Sequence, residues 1–145
     1  MAKILVSNCL LGCDCRYKGD GCACQEIIDL AKEHTLIGVC PEQAGGLSTP
    51  RAPSEIQADG SLLNTDGIDV TEQYMRGANI ALYLAQLNRV DFAILKAKSP
   101  SCGKGRIYDG TFTGGMRDGN GVTVQLLLDN GIPVYSENDL DDLPL

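Results

Sequence analysis

Lys3-Ile4-Leu5-Val6-Ser7-Asn8-Cys9 sets the pattern of this chain: an apolar triplet, then a cysteine. A short run of consecutive apolar residues suits a strand buried on both faces of a sheet. The design returns twice. Leu36-Ile37-Gly38-Val39 runs into Cys40, and Phe92-Ala93-Ile94-Leu95 leads through Lys98-Ser99-Pro100-Ser101 to Cys102. Ile132 to Ser136 reads as a fourth strand.

Helical patterns lie between these runs. Ile27, Ile28, Leu30 and Ala31 carry helical spacing within 25–34. Tyr74, Ala78, Ala81, Leu82 and Ala85 form one stripe along 69–89, where Asp69 and Glu72 resemble a capping box. A last helix spans 122–130, with Gly131 as its stop. Strands alternating with helices predict a mostly parallel, Rossmann-like sheet in a single three-layer α/β domain over residues 1–145. Asp59-Gly60 and Asp109-Gly110 predict two small β-hairpins with two-residue turns, the second joining Ile107-Tyr108 to Thr111-Phe112. His34 is expected to cap a helix end, and 137–142 to be a solvated acidic terminus.

Composition narrows the class. Apolar residues at 43% and charged residues at 21% argue for a packed core and against disorder. Twelve Lys and Arg against nineteen Asp and Glu leave a net charge of -7, which argues against a general nucleic-acid footprint. No apolar run approaches the roughly 18 residues of a membrane helix. The first residues lead into a strand pattern rather than a signal-peptide core, so a cytoplasmic location is expected. Seven cysteines, an odd number, argue against a disulfide framework, and the single histidine leaves sulfur as the obvious soft ligand.

In a parallel sheet every strand finishes on the same edge, where open α/β folds bind their ligands. Cys9, Cys40 and Cys102 are therefore expected to meet. Three thiolates there would make a base for a metal ion or an iron–sulfur cluster, with a fourth position left open. Taken singly, each is an ordinary buried cysteine; the repetition carries the argument. Cys13-Asp14-Cys15 and Cys22-Ala23-Cys24 are C-x-C pairs, tighter than the usual zinc spacing. They read either as a structural zinc site or as free thiols. Lys96, Lys98, Lys104 and Arg106 surround Cys102 and would favour its thiolate. Glu42 lies two residues after Cys40, placed either as a general base or as an exposed loop acid. Ser99 and Ser101 flank Pro100, either to bind substrate and pass a proton or only to shape the loop.

Cys9-Leu10-Leu11-Gly12, Cys15-Arg16-Tyr17-Lys18-Gly19, Val39-Cys40-Pro41-Glu42, Gly45-Gly46-Leu47 with Pro50-Arg51, Ser99-Pro100-Ser101-Cys102-Gly103 and Ile107-Tyr108-Asp109-Gly110 follow one another in an order that resembles the DUF523 family, which includes thiouracil desulfidases. The resemblance covers almost the whole chain. It implies a [4Fe-4S] cluster on Cys9, Cys40 and Cys102, with one iron open to the sulfur of a small thiolated nucleobase. It implies Glu42 as acid/base, with Ser99 and Ser101 assisting proton transfer or positioning the ring, and uracil and sulfide as products without redox chemistry. Lys18 stands where the family pattern has an acidic or amide residue, and Cys13, Cys22 and Cys24 lie outside that pattern. Two other functions remain open at this level: a metal- or redox-sensing cysteine module, and a sulfur carrier with persulfide on Cys15 or Cys102. A sensor needs no acid/base group, and a carrier needs an exposed, acidic thiol.

Overall fold

The computed structural model describes residues 1–145. Its centre is a four-stranded parallel sheet made of β1 (Lys3–Ser7), β2 (Thr35–Val39), β5 (Phe92–Leu95) and β8 (Val134–Ser136), in the order β2-β1-β5-β8. Two antiparallel hairpins stand apart from it, β3 (Ser54–Ile56) with β4 (Leu62–Asn64) and β6 (Arg106–Tyr108) with β7 (Met116–Asp118). The helices are α1 (Gln25–Asp29), α2 (Pro41–Ala44), α3 (Thr71–Asn88) and α4 (Val122–Asp129).

The apolar runs of β1 and β5 are buried on both faces because side chains alternate along a strand, whereas β2, at the sheet edge, is only partly buried. Leu5, Ala93 and Leu95 face Ala81 and Ala85 of α3 and Val124 and Leu127 of α4. Ile4, Val6, Phe92 and Ile94 face the other way, onto Leu10, Cys15 and Ile27. Each fully buried aliphatic side chain contributes about 1.5–3 kcal/mol. Three layers result, as expected, with α3 and α4 on one side and α1 and the cysteine-rich loop on the other.

Several local expectations change. The 25–34 segment is one short α-helix followed by a 3-10 turn at Leu30–Lys32. No capping box forms at α3: Asp69 accepts the Thr71 N–H at 2.9 Å, while Glu72 reaches Arg76 instead. The 59–60 turn is a three-residue loop, with Gly60 at φ 88° and Gln57 N–H bonded to the Ser61 carbonyl. In the second hairpin Thr111 and Phe112 are loop, because Asp109 accepts both the N–H and the hydroxyl of Thr111 and turns the chain early. The strand partner is Met116–Asp118. His34 caps no helix; its Nδ1 accepts the Ala2 N–H at 3.0 Å. The acidic end is not simply solvated, since Glu137 binds Lys96 Nζ at 2.6 Å and the Ala97 N–H at 2.8 Å. Leu140 and Leu143 pack on the core. The stop after α4 is as expected: Gly131 at φ 78° allows Ile132 N–H to reach Leu127 and Gly131 N–H to reach Leu128. No helix is long and apolar enough to cross a membrane.

Candidate active site

The ends of β2, β1 and β5 are neighbours on one edge of the sheet. Ser7 pairs in register with Val39, and Val6 with Ile94. Each strand therefore delivers its next residues to the same place. Cys9 sits in a 3-10 turn after β1, Cys40 immediately precedes α2, and Cys102 closes the turn after β5. All three line one cavity of about 330 Å³, together with Cys15, Glu42, Arg51, Tyr74 and Ser99. That volume lies within the range of small-molecule pockets, about 300–1,000 Å³.

Glu42 is held from two sides. Its Oε1 accepts the Tyr74 hydroxyl at 2.7 Å and Arg51 Nε at 3.1 Å. Its Oε2 meets only the Ser99 hydroxyl, at 3.5 Å. Arg51 is itself enclosed, and its remaining donors bind the carbonyls of Ser48 and Cys15 and the Thr49 hydroxyl. One guanidinium thus joins the carboxylate to the cysteine-rich loop. Burial, with the Glu42 charge beside it, pushes the Tyr74 hydroxyl far up, so it remains a phenol and a fixed donor.

Ser99 has a second duty. Its Oγ accepts the N–H groups of Ser101 and Cys102, both at 3.0 Å, and so shapes the turn that presents Cys102. Ser101 does not join the cavity. It is fully buried and its hydroxyl pairs with Thr123 at 2.7 Å, fastening the turn to α4. This geometry replaces the expected substrate-facing role of Ser101 with a structural one.

Three of the four cations expected to favour thiolates are engaged elsewhere, while Lys98 lines the cavity. Lys96 is bound to Glu137, Arg106 pairs with Asp118 at the surface, and Lys104 lies 5.3 Å above the Tyr135 ring. Burial wins instead. It raises Cys9 to about 11, helped by Cys40 and opposed by Lys96. It raises Cys102 to about 12, with the Ser7 hydroxyl pulling the other way. Cys15 is also pushed up, by burial and by neighbouring Cys40. In the metal-free protein these groups are neutral thiols, and a bound metal must displace their protons.

No three His, Cys, Asp or Glu side chains converge tightly enough to hold a single metal ion. The C-x-C pairs form no zinc cage: Cys13 is exposed, Cys15 is buried at the cavity, and Cys22 and Cys24 are half-buried. Arg51, Tyr74, Ser7 and Glu55 also line the cavity without having been singled out for chemistry by sequence pattern. Tyr74 reads there as one more member of an apolar stripe, and its hydroxyl was the only hint of another duty.

The chain matches the 2-thiouracil desulfurase family over residues 4–139. It is 44% identical over 149 aligned positions to the uncharacterised protein YbbK of Bacillus subtilis (strain 168), covering 97% of this chain and 99% of that one. It superposes with a TM-score of 0.93 on a solved structure described as the [4Fe-4S]-dependent thiouracil desulfidase TudS, a DUF523 protein, at 44% identity, covering 99% of this chain and 95% of that one. With its whole length and architecture thus accounted for, this chain belongs to the 2-thiouracil desulfurase family.

Proposed function

We propose that this protein is a desulfidase that removes sulfur from a small thiolated pyrimidine, 2-thiouracil or a close relative, giving uracil and sulfide. The observation that carries this reading is Glu42, a carboxylate oriented by Arg51, Tyr74 and Ser99 in the cavity that Cys9, Cys40 and Cys102 line. The donor set suits a [4Fe-4S] cluster, the group named for the matching desulfidase. Thiols from three neighbouring strand ends share one cavity, and sulfur-only ligation is what such clusters use. Cys9, Cys40 and Cys102 would hold it. When bound, the cluster supplies a soft Lewis acid, through an iron without a protein ligand, that polarises a thiocarbonyl sulfur.

The residues of the chain handle the protons. Oε1 of Glu42 is occupied by two donors, which leaves Oε2 available to a water in the cavity. Glu42 takes a proton from that water as its oxygen adds to the ring carbon, and returns the proton to the departing sulfur. Ser99 steadies Oε2. The ring carbon exchanges sulfur for the water oxygen, both water protons leave with hydrogen sulfide, and no electrons are transferred. The persulfide-carrier alternative fares worse: Cys15 and Cys102 are buried and held as thiols, the reverse of what a carrier needs.

The test is sulfide release and loss of thiouracil absorbance after anaerobic reconstitution with iron and sulfide. Glu42→Gln should keep the cluster chromophore and lose about 10²–10⁴-fold in turnover. Near-normal release by Glu42→Gln would remove its role. No release by the wild type from either 2-thiouracil or 4-thiouracil would refute the substrate class.

A further inference from the structure

Glu55 is a second carboxylate of the cavity, and the proton chemistry above makes no use of it. It stands in the middle of β3 with 8% of its surface exposed. No lysine or arginine pairs with it. Its two oxygens differ. Oε1 accepts the N–H groups of Gly110 at 2.9 Å and Phe112 at 3.2 Å, tying the loop of the second hairpin to the first. Oε2 takes no hydrogen bond from the protein. Every fully buried side-chain nitrogen or oxygen in the molecule has a partner, so Oε2 keeps some exposed surface, and Glu55 is one of the residues that line the cavity. An enclosed carboxylate is costly unless donors satisfy it. A ligand that presents a donor to Oε2 would complete its hydrogen bonding in place of solvent.

We propose that Glu55 is a substrate-recognition residue whose Oε2 accepts a ring N–H of the pyrimidine. The proposal rests on the desulfidase reading and sharpens it. A thiouracil carries two ring N–H groups and no charge, so it offers the donor that Oε2 lacks. Glu42 and Glu55 then divide the work: the first moves protons, and the second selects a ring that presents N–H at the contacted position. A pyrimidine alkylated at that nitrogen is excluded, because it brings a methyl group to an oxygen that needs a donor.

Glu55→Gln tests this with little disturbance. The amide oxygen stays on Gly110 and Phe112, and the amide NH₂ turns into the cavity, replacing an acceptor with a donor. Titration calorimetry of the reconstituted protein with uracil should show affinity weakened by about 10- to 100-fold, the range expected for one hydrogen bond to a charged group. KM for thiouracil should rise in parallel, with kcat changed far less and the thermal midpoint kept. The wild type should discriminate by a similar factor against one of 1-methyluracil and 3-methyluracil, and Glu55→Gln should lose that discrimination. A purely structural Glu55 would not move this selectivity. Unchanged uracil affinity in Glu55→Gln, or a wild type that binds both methylated rings as tightly as uracil, would overturn the proposal. These binding results are separate from turnover: a wild type that binds uracil through Glu55 but releases no sulfide sinks the desulfidase reading alone.

Discussion

The Tyr74 hydroxyl donates to Glu42 Oε1 across 2.7 Å, so the longest helix of the domain reaches into the cavity and holds the carboxylate that follows Cys40. That bond has a measurable consequence. Tyr74→Phe removes the donor without emptying the buried ring site. Glu42 keeps Arg51 but loses its second anchor on Oε1. Turnover of reconstituted enzyme should fall by about 10-fold, less than for Glu42→Gln, with cluster absorbance intact. Wild-type kcat in Tyr74→Phe would show that Arg51 alone orients the carboxylate.

The cysteines should separate into two groups. Replacing Cys9, Cys40 or Cys102 by Ala should abolish the brown chromophore and the bound iron of anaerobically reconstituted protein. Cys13→Ala and Cys22→Ala should keep both, because Cys13 is exposed and neither lines the cavity. Iron and acid-labile sulfide, measured per chain, decide the matter. Equal loss of iron from Cys22→Ala would mean that the ligand set is different.

The cluster-free, reduced protein should weaken at alkaline pH. Burial raises Cys9 to about 11 and Cys102 to about 12, from an ordinary value of 9.0. The folded chain thus keeps protons that the unfolded chain releases. The stability linked to these thiols is complete below pH 9 and is lost as pH rises toward the folded values. Urea midpoints recorded from about pH 8 to about pH 10.5 should fall, and less steeply for Cys102→Ala than for the wild type. Identical slopes would assign the loss to other groups.

Gly77→Ala should damage both fold and site. A Cβ at Gly77 would overlap the Pro41 carbonyl, and one at Gly45 would overlap the Gln73 carbonyl, so α2 and α3 meet through these two glycines. Overpacking of this kind typically costs about 1–3 kcal/mol. Pro41 separates Cys40 from Glu42, so the displacement should also reduce turnover. An unchanged denaturation midpoint would show that α2 shifts freely.

The central fold was legible because it rests on local signals. Three short apolar runs, one long helical stripe and Gly131 each act within a few residues, and they point to the same parallel sheet. The cavity position of Cys9, Cys40 and Cys102 was legible for a related reason: parallel strands end on one edge, so chain order alone predicts their meeting. What sequence could not decide was orientation and burial. Ser99 and Ser101 flank the same proline, yet one reaches Glu42 and the other turns to Thr123, a choice made by the packing of α4. Four cations crowd Cys102 in sequence, yet desolvation sets its proton affinity, and Glu137 claims Lys96 from 41 residues away. Arg51, Tyr74 and Glu55 come to the cavity from segments with no motif in common, because only the folded chain brings together donors and acceptors so distant in sequence.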